Sequence, residues 1–117
     1  MARRERVICA SADLVDCGDG VRFETRVGGH LEPAFVVRYD GKAHAYINRC
    51  ANMPMELDWK PGKFFDAEGL VLICATHGAI YSPESGRCLG GPCEGRLVPV
   101  PIEERDGMIL FKEESDG

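Results

Sequence analysis

The apolar positions of this chain recur in short runs, not at helical spacing. Val21–Val27 alternates apolar and polar residues, the period of a half-buried strand. Ala34–Tyr39 and Ala43–Asn48 are apolar runs on either side of Asp40-Gly41, a pair that favours a two-residue hairpin turn. Leu70–Cys74 reads as a compact apolar strand, with Ala79–Tyr81 as the start of its return partner and Phe64-Phe65 as strand packing. Leu97–Ile102 and Met108–Lys112 read as a closing hairpin turning at Arg105-Asp106-Gly107. Arg6–Cys9 is expected to open the sheet, and Ser11–Val15 to make one helical turn capped by Ser11. Irregular stretches lie between: Arg49–Gly62 with Pro54 and Pro61, the Gly/Pro/Cys loop Gly86–Gly95, and a turn at Gly28-Gly29 followed by His30. Many short strands with closely spaced turns imply an all-β, antiparallel sandwich or barrel.

Composition narrows the function classes. The 117 residues suit one compact domain over residues 1–117, with a polar tail at Glu113–Gly117 expected to fray. Hydrophobic residues make up 44% and charged residues 28%, so a core is available but small, and a bound metal group would add to its stability. A net charge of −5 argues against nucleic acid, and the short run Arg3, Arg4 and Arg6 reads as a solvated start. No apolar run of about 20 residues is present to cross a membrane, and Met1–Gly20 lacks the apolar stretch of a secretory signal. The expected compartment is therefore the cytoplasm. There, six cysteines are expected as ligands or buried thiols rather than as a disulfide framework. Cys9 and Cys17 read as core or loop thiols. Cys88 and Cys93 are expected as free thiols, the alternative being a small disulfide across Leu89–Pro92.

Two loops concentrate soft ligands: Cys50-Ala51-Asn52-Met53-Pro54-Met55 and Cys74-Ala75-Thr76-His77-Gly78. A Cys and a His three apart can face one metal centre from a tight turn, and a Gly directly after relieves crowding. Cys-x-x-His alone arises often by chance; two such loops, each entered from an apolar strand, are more specific. Glu56 and Asp58 lie close together but no partner histidine or cleft is evident, which disfavours paired-carboxylate catalysis. Trp59 is expected to fill the core beneath the first loop.

The runs Ala45–Cys50, Met55–Trp59, Cys74–Tyr81, Gly86–Cys88 and Gly90–Cys93 together resemble soluble Rieske proteins, over roughly residues 5–112. The resemblance implies a small Rieske-type sandwich whose cluster-binding subdomain is built from ligand loops at about 49–62 and 74–81, covered by a Pro-containing loop at 86–95. In that family a Cys-x-His box and a Cys-x-x-His box hold a [2Fe–2S] cluster, thiolates on the inner iron and imidazoles on the outer. By resemblance Cys50 and Cys74 would bind the inner iron and His77 the outer one. Tyr81, four residues past His77, stands where such proteins can place a hydroxyl that donates a hydrogen bond to a cluster or cysteine sulfur and raises the potential, the alternative being simple core packing.

The departure is Asn52, which stands where the family has its first histidine. The 21 residues between Asn52 and Cys74 also exceed the spacing of many ferredoxins, a tolerable change in a loop. An amide oxygen is a neutral, hard and weak donor to iron bound by sulfide. Four outcomes follow: weak binding through Asn52, water or hydroxide on the outer iron, a substitute residue, or loss of the cluster. The substitutes to weigh are His44, His30, Met53, Met55 and Cys93. Three functional readings therefore stand. The first is a non-catalytic one-electron carrier serving a reductase or oxygenase component. The second is a cluster-free Rieske-fold module, similar to the small subunit of some nitrite reductases. The third is a zinc site using Cys50, Cys74, His77 and Cys93.

Overall fold

The computed structural model describes residues 4–27, 30–49, 57–58, 62–66, 68–74, 78–91 and 95–113. Among the described residues, nine strands fall into three antiparallel sheets. β1 (Arg4–Ala10), β9 (Met108–Glu113) and β8 (Ile102–Arg105) form the first, in the order β1-β9-β8. β2 (Val21–Val27), β3 (His30–Tyr39) and β4 (Lys42–Ile47) form the second, as a meander. β5 (Leu72–Ile73), β6 (Ile80–Tyr81) and β7 (Cys88–Gly90) form the third and smallest. Among the described residues the only helical piece is a 3₁₀ turn at Ser11–Asp13, and no helix is long and apolar enough to cross a membrane.

The centre of the fold is legible in β3. Ala34, Phe35, Val36 and Val37 are all buried, because both faces of this strand are covered. Phe35 and Val37 point into one apolar cluster with Tyr46, Leu57, Phe64, Leu72, Cys74, Ala79, Tyr81 and Leu97. Ala34 and Val36 point into a second with Leu14, Ala45, Ile47, Val100, Ile109 and Phe111. The period of two therefore sends alternate side chains of one strand to two cores. The middle sheet joins the other two. Phe64 stacks on Phe35 with ring centroids 4.0 Å apart, and Gly20 lies so close beneath that an added Cβ would meet the Phe64 ring at 2.7 Å.

The expected hairpins at Asp40-Gly41 and Asp106-Gly107 are present, with φ of 52° and 79° in the first and 54° and 76° in the second. Those values suit the primed turns that match strand twist. Five expectations need correction. His30 opens β3, paired opposite Val27, rather than lying in a turn. Ser11 is not a cap: its amide donates to Gly107 O at 2.8 Å, Ala10 N donates to the Asp13 carboxylate at 3.2 Å, and Ser11 Oγ is buried without a partner. The strand read as Leu70–Cys74 shrinks to Leu72–Ile73, because Asp66 Oδ1 captures the amides of Leu70 (2.9 Å) and Val71 (3.3 Å) in a turn. The loop Gly86–Gly95 contains a strand, β7, and the final hairpin starts at Ile102 rather than Leu97.

Candidate metal centre

The third sheet carries the second candidate ligand loop. The chain leaves β5 at Cys74 and returns at Ala79, and the turn closes on itself: Cys74 N donates to Ala79 O at 2.8 Å and Gly78 N to Cys74 O at 2.7 Å. Gly78 turns the chain back with φ of 75°, a conformation that favours glycine. Cys74 is fully buried, outside any disulfide, and packed in the same cluster as Leu57, Ala79 and Tyr81. A thiol in such surroundings is inert as a nucleophile, which leaves core packing or ligation of a metal or cluster as its two roles. Its partner in this turn, His77, lies outside the described residues, as do Cys50, Asn52, Met53, Met55, Glu56, Trp59 and Cys93. Among the described residues no three His, Cys, Asp or Glu side chains converge to hold a metal ion.

The first candidate loop is visible at its base. Asn48, directly after β4, is 1% exposed. Its Oδ1 accepts from Leu57 N at 2.8 Å and its Nδ2 donates to Asp58 Oδ1 at 3.0 Å, so the exit and return of the loop are joined. Sequence reasoning missed the link between them: it reads Asp58 only beside Glu56 and Asn48 only as part of the run Ala45–Cys50. The available signal was an amide at the end of an apolar strand, one residue short of the loop it closes.

The third loop packs on the second. Gly91 has φ of 81°, and a Cβ there would lie 2.7 Å from Gly78 O and 2.9 Å from Ala79 Cα. Gly91→Ala is thus expected to cost about 1–3 kcal/mol from backbone strain, with a further loss from the clash. Chemical denaturation checks it; an unchanged midpoint would mean that the two loops do not press together. Cys88, expected as a free thiol, is disulfide-bonded. The expectation leaned on a reducing compartment, and the alternative of a disulfide is the one found at Cys88. Cys9 and Cys17 are not in disulfides, and burial is the main cause raising both thiol pKa values.

His44, weighed as a substitute ligand, lies elsewhere. It lines a cavity of about 330 Å³ together with Tyr46, Glu84, Arg96 and Pro101. Burial lowers its pKa from the ordinary value, which favours the neutral ring. The side chain of Tyr81 is fully buried in the Cys74 cluster. Tyr46 donates its hydroxyl to Pro83 O at 2.8 Å, and burial pushes its pKa up to about 12.

Three antiparallel sheets, the smallest carrying a closed turn with a buried cysteine between its first two strands, define a small all-β protein. Comparison makes this specific. The family model for the Rieske [2Fe-2S] domain matches residues 5–102, and the chain belongs to that family. Among solved structures, it is similar to the ferredoxin of carbazole 1,9a-dioxygenase from Nocardioides aromaticivorans IC177. That match has 22% identity and a TM-score of 0.72, covering 94% of this chain and 98% of that one. The Sphingomonas yanoikuyae B1 ferredoxin matches at 19% identity and a TM-score of 0.75, covering 95% and 100%. A ferredoxin or oxygenase chain in a complex of reduced oxygenase and oxidized ferredoxin in carbazole 1,9a-dioxygenase matches at 19% identity and a TM-score of 0.71, covering 97% and 96%. No curated protein matches the sequence significantly.

Proposed function

We propose that this chain is a single-domain Rieske-type electron carrier that exchanges one electron at a time with a larger oxidoreductase, an oxygenase or reductase component. The observation that carries this reading is the family match over residues 5–102, joined to a fully buried Cys74 thiol in a closed turn. The similarity to ferredoxins, and to a complex of oxygenase with ferredoxin, supports the partner class.

The donor chemistry fits a [2Fe–2S] cluster with one weak corner. Cys50 and Cys74 would supply the thiolates, His77 one imidazole, and Asn52 stands at the fourth position. When bound, the cluster supplies a one-electron store, at roughly −150 to +300 mV where imidazoles are ligands, against about −400 mV for all-cysteine plant-type clusters. The apolar residues around Cys74 exclude water from the thiolate side, and Tyr81 in the same cluster has the hydroxyl to tune it. With His77 as sole imidazole, the potential should track one ligand proton.

The test is anaerobic purification with iron and sulfide analysis. The expected product is red-brown and, once reduced, gives the low-average-g resonance of a histidine-ligated centre. A colourless, folded, metal-free protein would favour a cluster-free module instead, and stoichiometric zinc a zinc site. Asn52→His is expected to raise iron retention several-fold and move the resonance toward that of two-imidazole centres. No gain in iron would remove Asn52 from the ligand position.

A further inference from the structure

The first ligand loop leaves the sheet at Asn48 and returns at Leu57, and the groups that join these two points are polar and buried. Asn48 is 1% exposed and its main-chain amide donates to Pro33 O at 2.7 Å, which ties it to the start of the buried run of β3. Its side-chain oxygen accepts from Leu57 N at 2.8 Å and its amide nitrogen donates to Asp58 Oδ1 at 3.0 Å. The Asp58 side chain is fully shielded from solvent; its Oδ2 accepts from Gly62 N at 3.0 Å and lies 3.5 Å from Arg22 Nε.

Apolar packing alone would tolerate a slip of the returning chain by a residue. An amide that accepts from one backbone group and donates to one carboxylate does not, because a shifted register would leave buried polar groups unpaired at about 1–3 kcal/mol each. The network therefore fixes the register at which the chain returns at Leu57 and Asp58. Leu57, the residue it clamps, packs in the same apolar cluster as Cys74. The base of the first loop is thus referenced to the cysteine of the second.

We infer that Asn48 and Asp58 are a positioning pair for the iron–sulfur site: by joining Asn48 to Leu57 and Asp58 they fix the two ends of the first candidate ligand loop relative to the apolar cluster that holds Cys74. This rests on reading the chain as a [2Fe–2S] protein and deepens it. Neither residue is a ligand. Their leverage is large because position 52 carries asparagine, a weak donor, so retention depends on how little ordering the loop needs when iron binds.

The experiment compares wild-type protein with Asn48→Ala, Asp58→Asn, and the exchange Asn48→Asp with Asp58→Asn, which returns the side-chain bond with donor and acceptor reversed. Tyr46→Phe serves as a control, because it removes the hydrogen bond to Pro83 away from the loop. Each protein is loaded with ferrous iron and sulfide under anaerobic conditions. Cluster lifetime is then followed by absorbance in excess chelator, the resonance of the reduced protein is recorded, and thermal unfolding of the iron-free chain is measured separately. The two single variants are expected to shorten cluster lifetime at least fivefold and broaden the resonance. The exchange should restore much of both, and Tyr46→Phe should lower the unfolding midpoint without changing lifetime or lineshape. Asp58→Asn keeps side-chain size, so it reports even where Asn48→Ala fails to fold. Single variants that lose thermal stability yet keep wild-type lifetime and lineshape would overturn the positioning role alone. Wild-type protein that stays colourless after loading would overturn the carrier reading, and the pair's role with it.

Discussion

Cys74→Ser is expected to remove nearly all bound iron and the visible absorbance that goes with it. The side chain of this residue is fully buried among Leu72, Ala79 and Tyr81, so solvent has no open path to replace a lost donor. Serine offers a hard oxygen that stays protonated in such a place, a poor exchange for a soft thiolate on iron. It also buries a hydroxyl, at about 1–3 kcal/mol if unpaired. Cys74→Ala separates the two effects: it deletes the ligand without adding a polar group, so iron should fall as far while the iron-free chain unfolds closer to wild type. Cys9→Ser and Cys17→Ser are the comparison, since both thiols sit outside the cluster that contains Cys74 and should leave iron content unchanged. Iron and sulfide analysis with urea unfolding of the iron-free chains measures all four. Retention of more than half the iron in Cys74→Ser would exclude Cys74 as a ligand.

The parts of this fold that are local were legible in the sequence. Asp40-Gly41 and Asp106-Gly107 announce their hairpins because few other pairs take two successive positive φ values at low cost. Val21–Val27 shows its period of two because one of its faces meets solvent. What escaped was set by partners distant in the chain. β7 is a three-residue strand amid glycine and cysteine, too short to have a period, and it exists because the backbone of β6 offers it hydrogen bonds. Leu70 and Val71 look like strand, but the Asp66 carboxylate, four and five residues earlier, takes their amides. The candidate site divides the same way. Cys74 and its turn follow from Cys, His and Gly at fixed offsets, whereas Asn48 and Asp58 have no spacing that announces them, since a polar clamp is defined only once both ends of the loop are in place.

Arg38→Ala is expected to destabilise the chain by about 2–4 kcal/mol and lower its unfolding midpoint by about 10 °C. This guanidinium spans three pieces of backbone: Nε donates to Leu14 O at 2.9 Å, and the two terminal nitrogens donate to Gly41 O and Ser11 O at 3.1 Å each. It also grips both oxygens of Glu104, at 3.1 and 2.7 Å. It thereby pins the 3₁₀ turn and the β3–β4 hairpin to β8, joining the first sheet to the second. The upper end of a buried-pair loss is not expected, because the Glu104 side chain is 35% exposed and water screens it. Arg38→Lys keeps the charge but not the fork, and should recover less than half of the loss. Acid gives the second readout. The Arg38 hydrogen bonds hold the Glu104 carboxyl below its ordinary value of 4.5; the nearby Ser11 hydroxyl adds by proximity without reaching hydrogen-bond geometry, and burial opposes both. A lowered folded-state pKa stabilises the fold above the unfolded value and is lost as pH falls through the folded one. Wild-type stability should therefore drop as pH falls below about 4.5, and this component of the slope should vanish in Arg38→Ala, where Glu104 returns toward its ordinary range. Glu103, held down chiefly by Lys112, titrates in the same window but is common to both proteins and cancels in the comparison. Urea midpoints of the two proteins taken between pH 7 and pH 3 should thus converge on acidification; parallel curves would mean that the Arg38–Glu104 pair contributes nothing to holding the sheets together.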